Sequence, residues 1–266
     1  MRKKLSTFFV FIFVSATLFL MLLATCMLWG VLSERRDESL AETSKNVMVQ
    51  VTEDLGQDYI DKIIFLGEST TYGLQRYGVL SGGVDTDQVW TGAVIRNGVA
   101  ASAGTLSLSP AISETRIFFP DTQEAITIGE AVKAKKPEYL VITLGLNNGA
   151  SYYSEKEFKA CYSILLDSVI ENSPETKIIL QSLFPVSRKC EIKAYTPERI
   201  RLCNKWINDI AVNYGISYLN TEETLTDEDG YLLDAYDNGG DGIHLNRDGL
   251  LQVVKYIRTH GVAKEP

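Results

Sequence analysis

The chain contains few of the residues that build metal centres and disulfide frameworks. Its 266 residues include two His and four Cys. Because zinc sites draw their ligands mainly from these residue types, the composition argues against a His-rich metal centre, and we expect neither a metal nor another cofactor. Cys190 and Cys203 are near enough in sequence to pair in an oxidising compartment, and free, largely buried thiols are the alternative.

The chain also lacks an excess of positive charge. It has 26 Lys and Arg residues against 34 Asp and Glu residues, which gives a formal net charge of −8. Proteins that bind nucleic-acid phosphates usually gather Lys and Arg on one face. The charge balance therefore argues against nucleic acid as a partner, while the length and the 45% hydrophobic content fit one good-sized globular domain.

Charged side chains are absent from residues 5–32. This run exceeds the roughly 20 residues that cross a hydrocarbon core as a helix, so it predicts a single transmembrane anchor. Arg2, Lys3 and Lys4 precede the run, and this cationic bias favours a cytoplasmic N-terminus with the rest of the chain outside the cytoplasm. A cleaved signal peptide is the alternative interpretation.

Beyond this anchor, residues 33–58 are rich in charged and hydroxyl side chains and predict a polar stalk. Residues 59–266 then form the predicted catalytic domain. Continuous apolar runs, which are typical of parallel strands buried on both faces, occupy residues 63–66, 139–144, 177–183 and 216–219. Two further strands are predicted near residues 88–94 and 116–119.

Helix-start signals lie between these apolar runs. Ser154 and Glu157 match a capping box, Thr196 precedes a proline suited to the first helical position, and Asn246 can cap a last helix that ends near Gly261. Strands that alternate with helices in this way predict a three-layer α/β domain around a parallel sheet.

Residues suited to nucleophilic catalysis lie next to these predicted elements. Ser69 directly follows the first apolar run, at the sheet edge where open parallel sheets bind ligands. Asp241 lies three residues before His244, so one turn can join the carboxylate to the imidazole and leave the other ring nitrogen for a serine. Asn147 follows the run 139–144 and can donate to an oxyanion. Each of these motifs alone is also found in turns or around a structural histidine. The presence of all three in this order, each next to a predicted strand end or helix start, favours catalysis.

These three segments resemble, in order, blocks I, III and V of the SGNH/GDSL hydrolase family, as in membrane-anchored bacterial-type members. The resemblance implies a flavodoxin-like sheet, a nucleophile at Ser69, and an acid–base pair of Asp241 and His244. It also implies an oxyanion hole formed by the Ser69 N–H, the Asn147 amide and a block II glycine. Gly98 is the favoured glycine.

The sequence departs from the family pattern at three places. Glu68 stands where the family name implies Asp, and Asn148 stands where Asp is usual in block III. Block II is the weakest match, because Gly104 is an alternative to Gly98 as the backbone donor. None of these departures removes the predicted nucleophile.

The resemblance and the predicted anchor together imply an extracytoplasmic serine hydrolase that cleaves carboxylic esters. The expected substrates are O-acetyl or other acyl esters of surface glycans or lipids, or acylated small molecules. Two alternatives remain open at this stage. The same residues can transfer the acyl group to a glycan, or the fold can serve as a non-catalytic module that binds glycan or protein.

Overall fold

The computed structural model of the protein describes residues 47–262 together with Trp29. The predicted anchor at residues 5–32 lies outside the described residues, apart from Trp29, and so does Cys26. In the described part of the chain, no helix has both the length and the apolar character needed to cross a membrane.

The described residues form a central parallel sheet and two hairpins. The strands are β1 (Ile63–Gly67), β2 (Val89–Trp90), β3 (Ala93–Arg96), β4 (Val99–Ser102), β5 (Arg116–Phe119), β6 (Glu124–Thr127), β7 (Tyr139–Thr143), β8 (Lys177–Gln181) and β9 (Ser217–Leu219). Five parallel strands form the central sheet, in the order β2-β1-β7-β8-β9. Two antiparallel hairpins, β3-β4 and β5-β6, lie outside it. The predicted parallel sheet is confirmed.

Four of the helices in residues 47–262 begin after a residue whose side chain accepts a free N–H group of the first turn. Ser154 and Glu157 form the predicted capping box, and the side chains of Thr196 and Asn246 each accept from a backbone N–H three residues on. The helices are α1 (Gly56–Ile60), α2 (Ser69–Arg76), α3 (Ile128–Lys135), α4 (Glu155–Asn172), α5 (Pro197–Tyr214) and α6 (Arg247–Thr259).

Both faces of the sheet are buried, as its continuous apolar strands require. Alternate strand side chains, such as Ile64 and Leu140, pack with α3, α4 and α5 into one core. Their neighbours, such as Phe65 and Val141, pack with α1, α2 and α6 into a second core on the opposite face. The result is a helix–sheet–helix sandwich in three layers.

The folded unit begins at Val47, earlier than the predicted boundary at residue 59. Met48 pairs in parallel with Tyr218 of β9, and Leu55 packs against the core next to α6. Residues 47–58 are therefore part of the domain rather than of a stalk. Apart from the short run Val47-Met48-Val49, their apolar side chains are separated by polar ones, so the pattern was too weak to reveal their burial.

The three described cysteines, Cys161, Cys190 and Cys203, are free thiols. The sequence left open either a disulfide between Cys190 and Cys203 or free thiols, and the structure has the free thiols. Cys161 of α4 and Cys203 of α5 are buried in the core.

Candidate active site

Ser69 lies at the turn between the first central strand and the helix that follows it. β1 ends at Gly67, Glu68 is extended, and Ser69 is the first residue of α2. A Cβ atom at Gly67 would stand 2.6 Å from the backbone oxygen of Thr143, so only glycine permits this close approach of β1 to β7. The turn places Ser69 at the carboxyl edge of the sheet.

Asp241 and His244 lie on the loop before α6 and meet Ser69 across that edge. His244 Nε2 is 2.9 Å from Ser69 Oγ, and His244 Nδ1 is 2.6 Å from Asp241 Oδ2. The other carboxylate oxygen of Asp241 accepts the backbone N–H groups of Ile243 and His244 at 2.9 and 3.1 Å. This arrangement suits a nucleophile, a general base and a group that orients the base.

The carboxylate of Asp241 is held in its charged form. Partial burial acts to raise its pKa, but hydrogen bonds from the Ile243 N–H and from the ring and N–H of His244 outweigh it and lower the pKa below its usual value. An anionic Asp241 stabilises positive charge on the imidazole. The side chains of Asp241 and His244 remain 48% and 32% exposed, so the pair faces solvent.

Glu68 is fully buried and joins the turn at Ser69 to the loop after β7. Its two carboxylate oxygens accept the backbone N–H groups of Leu146 at 2.8 Å and Asn147 at 2.7 Å. Desolvation raises the pKa of Glu68 to about 7, against the lowering effect of these N–H groups. The sequence marked Glu68 only as a departure from a pattern and did not reveal this contact.

Residues 65–250 match the GDSL-like lipase/acylhydrolase family. The chain belongs to this family. A comparison with curated proteins gives no match.

Solved structures share the fold at low sequence identity. A candidate platelet activating factor from Streptococcus pneumonia is 19% identical with a TM-score of 0.52, covering 89% of this chain and 97% of its own. A candidate acylhydrolase from Bacteroides fragilis is 15% identical with a TM-score of 0.51, covering 85% and 93%. A candidate G-D-S-L lipolytic protein from Desulfitobacterium hafniense is 15% identical with a TM-score of 0.50, covering 74% and 97%. At these identities the similarity concerns the fold alone.

The predicted oxyanion donors of this GDSL-like domain have different surroundings. The amide nitrogen of Asn147 donates to the Leu106 carbonyl at 3.0 Å and keeps a second hydrogen for another acceptor. Gly98 lies in the exposed turn between β3 and β4, with open space around it. Gly104 packs against the ring of Tyr72, which itself lines the cavity at Ser69. Proximity therefore favours Gly104 over Gly98 as the block II residue, and the Gly104 N–H donates to Ser102 Oγ at 3.2 Å in this structure.

A cavity of about 200 Å³ opens beside Ser69 in the GDSL-like domain. Tyr72 and Arg76 contribute to its wall from α2, and Asn238 and Leu245 contribute from the region just before α6. No sequence pattern marks these lining residues, because a helix position faces a cavity only once its neighbours are packed.

The loop that carries Asp241 and His244 is fixed to the preceding chain at Gly242. Its carbonyl accepts the N–H of Ser187 at 2.8 Å, and its φ is +71°. A Cβ atom there would stand 2.5 Å from the backbone nitrogen of Cys190. Glycine is therefore required between the carboxylate and the imidazole of this family member.

Proposed function

We propose that the protein is a serine hydrolase of carboxylic esters, with Ser69 as nucleophile, His244 as general acid and base, and Asp241 as the group that orients His244. The observation that carries this proposal is the position of the imidazole, 2.9 Å from the hydroxyl and 2.6 Å from the carboxylate. Membership of the GDSL-like lipase/acylhydrolase family supports an acyl ester as substrate.

In the proposed reaction, Ser69 Oγ attacks the ester carbonyl carbon while His244 Nε2 takes the hydroxyl proton. The charged Asp241 stabilises the imidazolium that forms. His244 then gives the proton to the departing alcohol, which leaves Ser69 acylated. Water, deprotonated by the same imidazole, attacks the acyl carbonyl and releases the acid.

The oxyanion of the proposed intermediate would be stabilised by the Ser69 N–H, the Asn147 amide and a backbone N–H of block II. Each such donor contributes about 3 kcal/mol in well-studied enzymes. The hydrogen bond between the Asn147 amide and Leu106 fixes the amide in place. Gly104 is the block II donor that we favour, and its N–H would exchange Ser102 Oγ for the oxyanion.

We propose hydrolysis rather than acyl transfer because the Asp241 and His244 side chains face solvent, which gives water access to an acylated Ser69. The uncharged run at residues 5–32 supports a membrane anchor, and the preceding Arg2, Lys3 and Lys4 support a domain outside the cytoplasm. Acyl esters of surface glycans or lipids are the substrates proposed for that location.

The test is hydrolysis of p-nitrophenyl acetate by the full-length chain. We expect Ser69→Ala and His244→Ala to reduce kcat by a thousandfold or more, because residues that act as one catalytic unit give large individual losses. Ser163→Ala removes a half-buried helical serine and His260→Ala removes the chain's other histidine, so both are matched controls. Most activity surviving in Ser69→Ala would refute the proposed nucleophile.

A further inference from the structure

The cavity beside Ser69 extends along one face of α2. Ser69, Tyr72, Gly73 and Arg76 all line it, at positions i, i+3, i+4 and i+7 of the helix. Residues with this spacing share a face, and seven residues of α-helix span about 10.5 Å. The cavity therefore reaches from Ser69 to Arg76, two helical turns away.

Arg76 differs from arginines that stabilise this fold. Arg188 and Arg258 form ion pairs with carboxylates, and Arg199 donates to three backbone carbonyls. Within residues 47–262, Arg76 has neither a hydrogen bond nor an ion pair. An exposed guanidinium without a carboxylate partner, in a chain of net charge −8, is available to an anion from outside.

The lining of the cavity points to the side of Ser69 from which the alcohol of an ester would leave. His244, which protonates the departing alcohol in the proposed mechanism, lines the cavity, whereas Asn147 and Gly104, two of the proposed oxyanion donors, do not. A group in this cavity therefore belongs to the alcohol portion of the substrate rather than to the acyl group.

We propose that Arg76 binds a carboxylate on the alcohol portion of the substrate. The substrates are then acyl esters of hydroxy acids, a class that includes acylated acidic sugars. A guanidinium matches the two oxygens of a carboxylate through paired N–H donors. The residues that line the described cavity include neither a Lys nor a second Arg, and they include the charged Asp241, which favours a singly charged carboxylate beside Arg76 over a phosphate. This proposal rests on the proposed function and defines its substrate class.

The test compares an anionic ester with its neutral match. For the full-length protein, kcat/KM is measured on para-acetoxycinnamate and on its carboxamide, and the ratio of the two values is taken for each enzyme. Comparing ratios between enzymes cancels differences in ester reactivity and in the fraction of active protein. We expect the ratio to fall about tenfold in Arg76→Gln, the size of effect typical of a charge-assisted hydrogen bond, and further in Arg76→Glu.

Arg96→Gln is the matched control, because Arg96 is also exposed but lies on the β3-β4 hairpin and does not line the cavity. We expect its ratio to equal that of wild type, and the wild-type ratio to fall as salt screens the attraction. Equal ratios in wild type and Arg76→Gln would overturn the carboxylate site alone. Failure of folded wild-type protein to cleave either ester, or equal cleavage by Ser69→Ala, would overturn the proposed function together with it.

Discussion

At the scale of single residues, Glu68 links the proposed nucleophile to the loop of the proposed oxyanion donor. Its side chain is one methylene longer than the Asp implied by the family name, and it accepts two backbone N–H groups of the loop after β7. These donors favour the charged carboxylate, whereas complete burial favours the neutral acid. Burial has the larger effect, which brings the pKa of Glu68 to about 7.

This raised pKa makes stability depend on pH in a definite direction. Between about pH 4.5 and 7 the carboxyl is ionised in the unfolded chain but protonated in the folded one. The raised pKa of Glu68 therefore contributes roughly 3 kcal/mol to the free energy of unfolding. This contribution is fully present below pH 4.5 and is lost as the pH rises through 7. We expect Glu68→Gln to remove this dependence, as measured by urea denaturation across that range.

The matched control for Glu68 is Glu157→Gln. Glu157 is an exposed glutamate whose pKa is lowered by hydrogen bonds from the Ser154 side chain and backbone. Loss of this carboxylate should change the pH dependence of the free energy of unfolding in the opposite sense. A carboxylate whose pKa is lowered in the folded protein contributes stability at pH values above its pKa in the unfolded chain. The same pH slope in wild type and Glu68→Gln would contradict the assignment to Glu68.

At the scale of elements, Asn246 connects the start of α6 to the region that precedes it. Its side-chain oxygen accepts the N–H of Gly249 and caps the helix. Its amide nitrogen donates to the carbonyls of Ala235 at 2.8 Å and Asp237 at 3.1 Å. One side chain therefore holds both ends of the loop that carries the proposed acid–base pair.

We expect Asn246→Ala to lower the free energy of unfolding by about 2 kcal/mol, from the lost cap and the lost donors. We also expect kcat for p-nitrophenyl acetate to fall about tenfold, because His244 would be held less firmly against Ser69. Ser154→Ala removes a comparable cap from α4 and should cost about 1 kcal/mol with kcat unchanged. If kcat falls no more in Asn246→Ala than in Ser154→Ala, the position of the loop that carries His244 does not depend on Asn246, and the prediction is wrong.

At the scale of the whole molecule, the sequence predicts best what is encoded locally. The strands β1, β7 and β8, the capping box at Ser154 and the turn from Asp241 to His244 each depend on neighbouring residues, and all form where predicted. The meeting of Ser69 with His244 spans 175 residues, yet it follows from placing both near the carboxyl edge of one parallel sheet.

Most contacts between segments that are far apart in the sequence could not be predicted from local sequence patterns. Glu68 and Leu146 are separated by 78 residues, and nothing in either segment specifies the contact. Gly98 and Gly104 both have positive φ and give the same local signal, so only the register of the β3-β4 hairpin distinguishes the exposed turn from the position beside Tyr72. The position of Arg76 at the cavity likewise follows only from the packing of α2 and could not be predicted from the sequence.

The early start of the domain leads to a prediction about fragments. A fragment of residues 47–266 retains the hydrogen bond from the Val49 N–H to Tyr218, that from the Leu55 N–H to Arg258, and the ion pair of Asp54 with Arg258. A fragment of residues 59–266 loses them together with buried apolar surface. We expect the shorter fragment to unfold with a free energy lower by on the order of 4 kcal/mol in urea denaturation. If the two fragments have the same free energy of unfolding, residues 47–58 add nothing to the stability of the domain, and residue 59 is its boundary.

The pairing of Met48 with Tyr218 also affects how copies of the protein meet. β9 is the last strand of the sheet, and an open strand of this kind offers free N–H and C=O groups to another chain. Met48 and Val49 cover part of that row. These first residues of the domain thus shield the edge of the sheet from strand-to-strand aggregation, and their detachment would expose a surface on which a second copy can add.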